Sequence, residues 1–324
     1  MIRNQWYAVL DAKELKKDKL LGVTRLGEKL VFWRDKKGGV GCIFDKCTHR
    51  GASLSKGRIL SNNMVQCPFH GFEYDKTGKV TKIPANGKNT PVPERYKVHG
   101  YPVKDAHGLI WMWWGEPQKE YPPLPFFEDL ESFFFATYKD YWPVHYSRAI
   151  ENQLDVVHLP FVHYNTIGRG CRTLIDGPKT KWVDNELRVW AYMRVDNGTK
   201  PLKENELQEP TRTALLHFRF GNIWQNRLGT NFRIFAAFAP IDDENTIIYL
   251  RLYQKIIRLP LLGRLLTRFS HRFNRRILKQ DKRVVSTQLP KKTSFKMNEH
   301  LIQGDKPIIE YRKKRDELLK LNNK

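Results

Sequence analysis

Two short segments, Cys47-Thr48-His49 and Cys67-Pro68-Phe69-His70, most constrain the fold of this chain, because each combines a thiol with an imidazole. Seventeen residues separate them. Two thiolates can bind one iron of a [2Fe–2S] cluster while two imidazoles bind the other iron. Zinc also accepts two cysteines and two histidines, but zinc fingers usually group like ligands. The spacing favours a [2Fe–2S] cluster, with zinc as the alternative, and the candidate ligands are Cys47, His49, Cys67 and His70.

Length and composition set wider limits on the protein. The chain has 324 residues, a formal charge of +23, 40% hydrophobic and 12% aromatic residues, which excludes intrinsic disorder and suggests two domains. Four cysteines are too few for a disulfide scaffold. No apolar run reaches the ~18 residues that span a bilayer, and the first residues lack the pattern of a signal peptide. We therefore expect a cytoplasmic protein without a membrane span.

Strand and helix patterns divide the chain into two parts. Short strand-like runs separated by turn residues fill residues 1–120 and predict a small antiparallel all-β domain. A proline-rich stretch at 116–125 is the candidate junction. Beyond it, the patterns predict strands at 187–195, 214–220, 232–239 and 246–252, and helices at 148–159 and 261–288. The fold class expected is α+β, with an all-β domain followed by an α+β domain that combines an antiparallel sheet with helices.

The segments CTHRG and CPFHGFEYD, with HGLIWMWWGEP further along, resemble the Rieske domain of Rieske-type non-haem iron oxygenases. The resemblance implies a catalytic (alpha) subunit of the short type, similar to aromatic ring-hydroxylating oxygenases and O-demethylases. A Rieske [2Fe–2S] domain would occupy residues 1–120. A catalytic domain with mononuclear Fe(II) would occupy residues 121–324.

His158 and His163, with Asp155 nearby, form the second candidate site. Asp155 and His158 are three residues apart, which on a helix places them on one face. The two histidines are five apart, so both reach one metal only if Pro160 distorts the turn between them. Two imidazoles and one carboxylate form the facial triad of non-haem Fe(II) oxygenases. On the pattern alone, ordinary structural histidines remain the alternative.

The family resemblance implies roles for three further residues. It places the carboxylate ligand on a long C-terminal helix, where Asp281 matches, although an acid in a basic helix could also form i,i+4 ion pairs. It makes Asp155 a bridge that hydrogen-bonds His158 in its own subunit and reaches the cluster ligand His70 of a neighbouring subunit in a homotrimer. An ordinary role within one subunit is the alternative for Asp155. Asn152 would lie near the iron.

The implied activity is that of a terminal oxygenase. Using O₂ and two externally supplied electrons, it would hydroxylate or oxidatively demethylate a small organic ring substrate, with electrons passing from the cluster to the mononuclear iron. No G-x-G-x-x-G fingerprint occurs, so a separate ferredoxin or flavin reductase would supply the electrons. The alternative is a Rieske electron-transfer protein without oxygenase activity. We expect the substrate site between residues 164–172 and strands within 214–239, and its candidate aromatic walls are Phe218, Phe220, Trp224 and Phe232.

A basic segment at residues 251–283 contains Asp281 as its one acid and has apolar residues at helical spacing. Such a helix can pack its apolar face on the protein's own core, lie on an anionic membrane or bind an acidic electron donor. The first interpretation is favoured, since the resemblance places Asp281 on this helix. Binding of nucleic acid is not expected, because no recognition motif accompanies the charge.

Overall fold

The computed structural model describes residues 1–257 and 260–321, with their side chains except those of 260, 261 and 263–271. The chain divides into two compact units. One comprises Asn4–Leu124 and Pro240–Asp242, and the other comprises Met1–Arg3, Pro125–Ala239 and Asp243–Lys324.

The N-terminal unit is built from short strands in three small sheets. The strands are β1 (Gln5–Asp11), β2 (Lys19–Arg25), β3 (Glu28–Arg34), β4 (Val40–Phe44), β5 (Arg58–Ile59), β6 (Val65–Gln66), β7 (Glu73–Tyr74), β8 (Val80–Lys82), β9 (Val103–Ala106) and β10 (Leu109–Trp114). The sheets have the orders β1-β10-β9, β2-β3-β4 and β5-β6-β7-β8. Their neighbouring strands pair antiparallel.

Two hairpins of this unit show why the sequence turns where it does. Between β3 and β4, Asp35 Oδ1 accepts a hydrogen bond from Gly39 N at 2.8 Å, and Gly38 has a φ of 94°. Between β7 and β8, Asp75 Oδ1 accepts from Thr77 N at 2.9 Å. Aspartate favours such turns because its side chain hydrogen-bonds the backbone two to four residues ahead. Both turns lie within residues 1–120, where the sequence predicts short strands separated by turn residues.

In its described residues, the C-terminal unit combines one large sheet with four α-helices. Its strands are β11 (Phe134–Trp142), β12 (Leu174–Val183), β13 (Glu186–Arg194), β14 (Leu216–Arg219), β15 (Ile223–Leu228), β16 (Phe232–Pro240) and β17 (Thr246–Gln254). The helices are α1 (Tyr146–Leu154), α2 (Leu159–Val162), α3 (Pro260–Val285) and α4 (Lys306–Leu321).

The seven strands form one sheet in the order β11-β17-β16-β15-β14-β13-β12. Neighbouring strands with a described register pair antiparallel. Helix α3 packs against β11 and β17, while α4 packs against β12 and β13. The main core of this unit includes buried aromatic side chains, among them Trp142, Phe218, Trp224, Phe238 and Tyr311. Sheet and helices together confirm the predicted α+β class.

Some predicted elements differ from those observed. The helix predicted at 148–159 is two helices, because α1 ends at Leu154 and Asp155 has extended backbone angles of −70° and 126°. The strands β11, β12 and β15 and the helix α4 were not predicted. In the ranges described, no helix has both the length and the apolar content that a membrane crossing requires.

Candidate metal centres

The two Cys–His segments of the N-terminal unit form similar loops. Gly51 N donates to Cys47 O at 2.9 Å, and Gly71 N donates to Cys67 O at 3.2 Å. Both glycines have positive φ, 75° and 72°, which a residue with a Cβ rarely adopts. The glycines therefore allow each loop to turn back immediately after its histidine.

The four predicted cluster ligands lie together, with the thiols inside and the imidazoles outside. Cys47 and Cys67 are 3% and 2% exposed and contact each other, whereas His49 and His70 are exposed. The centroids of the two imidazole rings are 4.6 Å apart. A [2Fe–2S] cluster fits this arrangement, with one iron on buried thiolates and the other on imidazoles at the surface.

Hydrogen bonds to the sulfur atoms complete this site. Tyr74 Oη, in β7, donates to Cys47 Sγ at 3.1 Å. Burial raises the pKa of the Cys67 thiol, and the backbone N–H groups of Phe69 and His70 act in the opposite direction. Donors to thiolate sulfur stabilise the charged ligand and adjust the reduction potential of a cluster. Tyr74 was missed by the sequence analysis, since a tyrosine in a strand carries no metal-binding pattern.

In the C-terminal unit, the side chains of His158, His163 and Asp281 converge, and their candidate ligand atoms lie within 4.8 Å of one another. Asp281 Oδ1 is 2.9 Å from His163 Nε2 and 3.4 Å from His158 Nε2. Asp281 is 3% exposed, and its Oδ1 makes no hydrogen bond within the described residues. A buried carboxylate oxygen that faces two imidazole nitrogens fits a facial Fe(II) site.

The charges of this group are strongly coupled. Burial opposes the protonated form of His158, but the carboxylates of Asp155 and Asp281 outweigh it and raise the pKa of His158 to about 9. Burial also opposes ionisation of Asp281, yet His158 and His163 hold the pKa of this carboxyl below its usual range. The pocket therefore favours positive charge beside Asp281, as a site for a divalent cation must.

A break between two helices lets both histidines reach the same point. Asp155 caps the end of α1, His158 immediately precedes α2, and His163 follows it. The predicted helical face shared by Asp155 and His158 is therefore wrong, since α1 ends at Leu154, before both residues. The predicted distortion by Pro160 is also misplaced, because Pro160 lies in the first turn of α2, where its missing N–H costs nothing.

Gln280 holds one of these histidines in place and was missed by the sequence analysis. Its Oε1 is 3.0 Å from His163 Nδ1 and accepts a hydrogen bond from Thr166 Oγ1 at 2.9 Å. Its Nε2 donates to Asn165 Oδ1 at 2.7 Å. A donor proton on Nδ1 leaves Nε2 of His163 free as a ligand. Gln280 precedes Asp281 on α3, and this adjacency to a candidate ligand was the only available indication.

Asp155 and Asn152 lie next to this group. Asp155 Oδ2 is 3.5 Å from His158 Nδ1, and Asp155 Oδ1 accepts hydrogen bonds from the backbone N–H groups of Val157 and His158 at 2.6 and 3.3 Å. The aspartate thus stabilises the turn between α1 and α2 and faces the ring of His158. Asn152, on α1, has a buried Nδ2 without a hydrogen-bond partner among the described residues.

A cavity of about 560 Å³ adjoins the three converging side chains. Asn152, Asp155, His158, His163 and Asp281 all belong to its wall. Most other residues of the wall are apolar, and they come from the sheet, from α2 and α3 and from connecting segments. The volume lies in the range of sites for small organic molecules.

The predicted walls of the cavity are correct in part. Trp224, Phe232 and Ile167 line it, the last from the segment 164–172. Phe218 and Phe220 are absent from the described wall. Their rings instead contact Tyr311 of α4, with centroids 5.2 and 5.8 Å from it, so they belong to the core.

From residue 272 onwards, α3 has one buried and one solvated face. Its buried side chains are Asn274, Leu278, Asp281 and Val285, and its exposed basic side chains are Arg272, Arg275, Arg276, Lys279 and Arg283. This part of the helix packs on the protein's own core. Arg251 is buried in β17 rather than on a basic surface. The side chains of Arg258, Arg264 and Arg268 lie outside the described residues.

Each candidate site lies in a region that matches a family model. Residues 5–102 match the Rieske [2Fe-2S] domain, and residues 142–321 match the vanillate O-demethylase oxygenase C-terminal domain. The second match spans more than half of the chain. The chain therefore belongs to the Rieske-type non-haem iron oxygenases, as the sequence resemblance predicted. The N-terminal unit thus carries a Rieske [2Fe–2S] domain rather than a zinc module.

Two curated relatives each match between half and two thirds of the chain. The oxygenase component of dicamba O-demethylase from Stenotrophomonas maltophilia is 36% identical over 202 residues, which cover 61% of this chain and 57% of that protein. Chlorophyllide a oxygenase from Chlamydomonas reinhardtii is 37% identical over 176 residues, 52% of this chain but 26% of that protein. The chain thus spans less than two thirds of the length of either relative.

The fold itself is shared along nearly the whole chain. The crystal structure of dicamba monooxygenase bound to dicamba covers 99% of this chain and 98% of its own, with a TM-score of 0.73 and 20% sequence identity. At that level of identity the likeness shows the fold alone.

Proposed function

We propose that this chain is a terminal oxygenase that uses O₂ and two externally supplied electrons to hydroxylate or oxidatively demethylate a small organic ring substrate. One oxygen atom enters a C–H bond of the substrate, and the other leaves as water after taking up two electrons and two protons. Residues 1–120 are proposed as the Rieske domain and residues 121–324 as the catalytic domain.

The convergence of His158, His163 and Asp281 on a largely apolar cavity carries this proposal. An electron-transfer protein without oxygenase activity needs neither a second set of ligands nor a cavity beside it. Iron held by these three side chains would supply the activation of O₂.

The protein's own residues would perform the rest of the work. Asp281 offers the anionic ligand, and Gln280 keeps the ring of His163 oriented. The apolar wall excludes water and holds the reacting carbon near the metal. Asn152 can donate a hydrogen bond from its unpaired Nδ2 to a ligand in the cavity.

Demethylation is the favoured form of the reaction. The matched C-terminal family is described as that of vanillate O-demethylase, and the relative from Stenotrophomonas maltophilia is a dicamba O-demethylase. Hydroxylation of a methoxy carbon gives a hemiacetal, which decomposes to formaldehyde and an alcohol. Formaldehyde is therefore the product to assay.

Electron supply and assembly complete the proposal. A separate ferredoxin or flavin reductase delivers the electrons, and the chain forms a homotrimer. Asp155 then links His158 to His70 of the partner subunit, which shortens the path between the two metal centres. A cytoplasmic location stays the prediction made from the sequence.

Oxygen uptake with matched variants tests the function. With a donor protein and a panel of methoxyarenes, the wild type consumes O₂ and releases formaldehyde. His158→Ala abolishes both while the visible spectrum of the cluster is retained, and Asp155→Asn retains the spectrum but slows electron transfer in single turnovers. Substrate-dependent uptake that survives in His158→Ala would favour a different oxidation site.

A further inference from the structure

The floor of the cavity is one face of the large sheet. In β15, the alternate residues Trp224, Asn226 and Leu228 all line it, as expected for side chains on the same side of a strand. Leu216 of β14 and Ile234 of β16 are the direct cross-strand neighbours of Asn226, and both also belong to the wall. An amide thus lies in the middle of an otherwise apolar floor.

One face of α3 forms part of the opposite wall. Asn274, Ile277, Leu278 and Asp281 are spaced as residues on one helical face, and all four line the cavity. Asn274 and Asp281 are two turns apart, about 10 Å along the helix axis. A second amide therefore lies about 10 Å from the candidate iron ligand.

Several polar atoms of this wall have no partner. Among the described residues, Trp224 Nε1, Asn226 Oδ1, Asn274 Nδ2 and Asn152 Nδ2 are buried and make no hydrogen bond. A buried polar group without a partner is destabilising, so such groups usually pair with water or with a ligand. Donors and acceptors are both present, which suits a neutral group such as an amide or a carbonyl.

The charges of the described wall are confined to the metal site. Its titratable side chains are Asp155, His158, His163 and Asp281, and it includes neither Lys nor Arg. A carboxylate or sulfonate bound away from the iron would lose its hydration without gaining a cation, which is costly. Leu228 and Phe273 belong to the same wall and, at 46% and 52% exposed, add apolar surface that contacts solvent.

We propose that the cavity selects an uncharged ring compound and rejects the corresponding anion. The compound carries its reacting methoxy or C–H group at the iron and a neutral hydrogen-bonding group about 10 Å away, where the amides of Asn226 and Asn274 bind it. This inference rests on the proposed function, because it names the substrate class of the same site.

Binding of matched pairs tests this selectivity without turnover. The probes are 6-methoxy-2-naphthamide with 6-methoxy-2-naphthoate and 4-methoxybenzamide with 4-methoxybenzoate. Calorimetry of the metal-loaded full chain, without O₂ or electron donor, measures their Kd. We expect each amide to bind at least tenfold more tightly than its carboxylate. A carboxylate that binds as tightly as its amide, or the absence of binding by both amides at 1 mM, would overturn the proposal.

Variants assign the selectivity to the two amides. Asn226→Leu and Asn274→Leu should each weaken binding of the naphthamide about three- to tenfold, the value of one hydrogen bond. Binding of 2-methoxynaphthalene, which lacks the amide, should remain within twofold. Asn62→Leu, at an exposed position in the N-terminal unit, is the control and should leave both Kd values unchanged. Equal loss for both ligands in the cavity variants would indicate damage to the cavity and contradict recognition by the amides.

Ligand binding tests the substrate class, whereas O₂ uptake and formaldehyde release test the reaction. An amide that binds but supports neither O₂ uptake nor formaldehyde release would contradict the oxygenase assignment and leave the selectivity intact. A carboxylate that binds and is demethylated would confirm the oxygenase and refute the selectivity.

Discussion

Gln280 shows how a residue that is not a ligand can control a metal site. Its Oε1 is 3.0 Å from His163 Nδ1, and its amide is fixed in turn by Thr166 and Asn165. The three contacts hold both the orientation and the tautomer of the imidazole. Loss of such a partner of a histidine ligand typically lowers metal affinity 10- to 100-fold.

We therefore predict that Gln280→Leu weakens Fe(II) binding at the mononuclear site by about 10- to 100-fold. Gln280→Glu retains the acceptor oxygen and should bind iron more tightly than the leucine variant. Titration of the iron-depleted site with Fe(II), with the cluster intact, measures the affinity. Lys279→Leu, at the exposed neighbouring position, is the control. Equal affinities in Gln280→Leu and the control would show that Gln280 does not support His163.

At the level of elements, buried ion pairs attach α1 to α4. Arg312 Nε and Nη2 donate to the two carboxylate oxygens of Glu151 at 2.9 and 2.7 Å, and Arg312 also pairs with Glu299 at 2.7 Å. Arg148 joins the same group through Glu299. Since α1 carries Asn152 and is capped by Asp155, this network positions residues beside the candidate iron site.

Arg312→Leu should lower the free energy of unfolding by about 3–5 kcal/mol. It removes both hydrogen bonds that Glu151 accepts from Arg312 and leaves this buried carboxylate with Arg148 at 3.7 Å. Urea unfolding followed by tryptophan fluorescence measures this loss. Lys313→Leu, exposed on the next residue of α4, should change the value by less than about 0.5 kcal/mol. A comparable, small effect of both substitutions would mean that the network contributes little to stability.

The same helix shows why part of the fold escaped prediction. The buried positions of α4 are Ile308, Tyr311, Arg312 and Arg315, with Pro307 in the first turn. Their spacing is helical, but two of them are arginines, so the apolar pattern is interrupted. The carboxylates of Glu151 and Glu299 make burial of Arg312 acceptable. Glu151 lies far earlier in the chain, and a local pattern contains no information about such a tertiary partner.

The candidate cluster site was easier to predict than α4, because its sequence pattern is local. Each Cys–His loop contains its own candidate ligands and its glycine, so the sequence alone could predict the four candidate cluster ligands. Asp281 lies far from His163 in sequence, and it was found through the family resemblance rather than through spacing. Asn226 and Asn274 gave no pattern at all, since only the sheet and α3 place both amides on one cavity.

At the scale of the whole molecule, the stability of the folded chain should depend on pH through a buried histidine. Burial lowers the pKa of His145 to about 2, and the positive charge of Arg315 acts in the same direction. The folded protein thus keeps His145 neutral, while the unfolded chain takes up a proton below a pH of about 6.5. The contribution of neutral His145 to the free energy of unfolding is complete above that pH and is lost as the pH falls.

His145→Asn should therefore reduce the decrease in Tm between pH 7.5 and pH 5. Asparagine retains an acceptor for Ser147 N, which His145 Nδ1 now caps at 3.2 Å, so α1 keeps its first turn. Calorimetric scans at both pH values measure the difference. His300→Asn, at an exposed position, should follow the wild type. An unchanged pH dependence in His145→Asn would exclude His145 as a source of the acid sensitivity.

The central claim is that one chain holds two separate iron centres, one of them on His158, His163 and Asp281. Iron and acid-labile sulfide per chain test it most directly. We expect about three irons and two sulfides in the wild type, since a [2Fe–2S] cluster contributes two irons and two sulfides. His158→Ala and Asp281→Asn should each retain the sulfides and lose one iron. Three irons in both variants would contradict the account, because the third iron would then lie elsewhere.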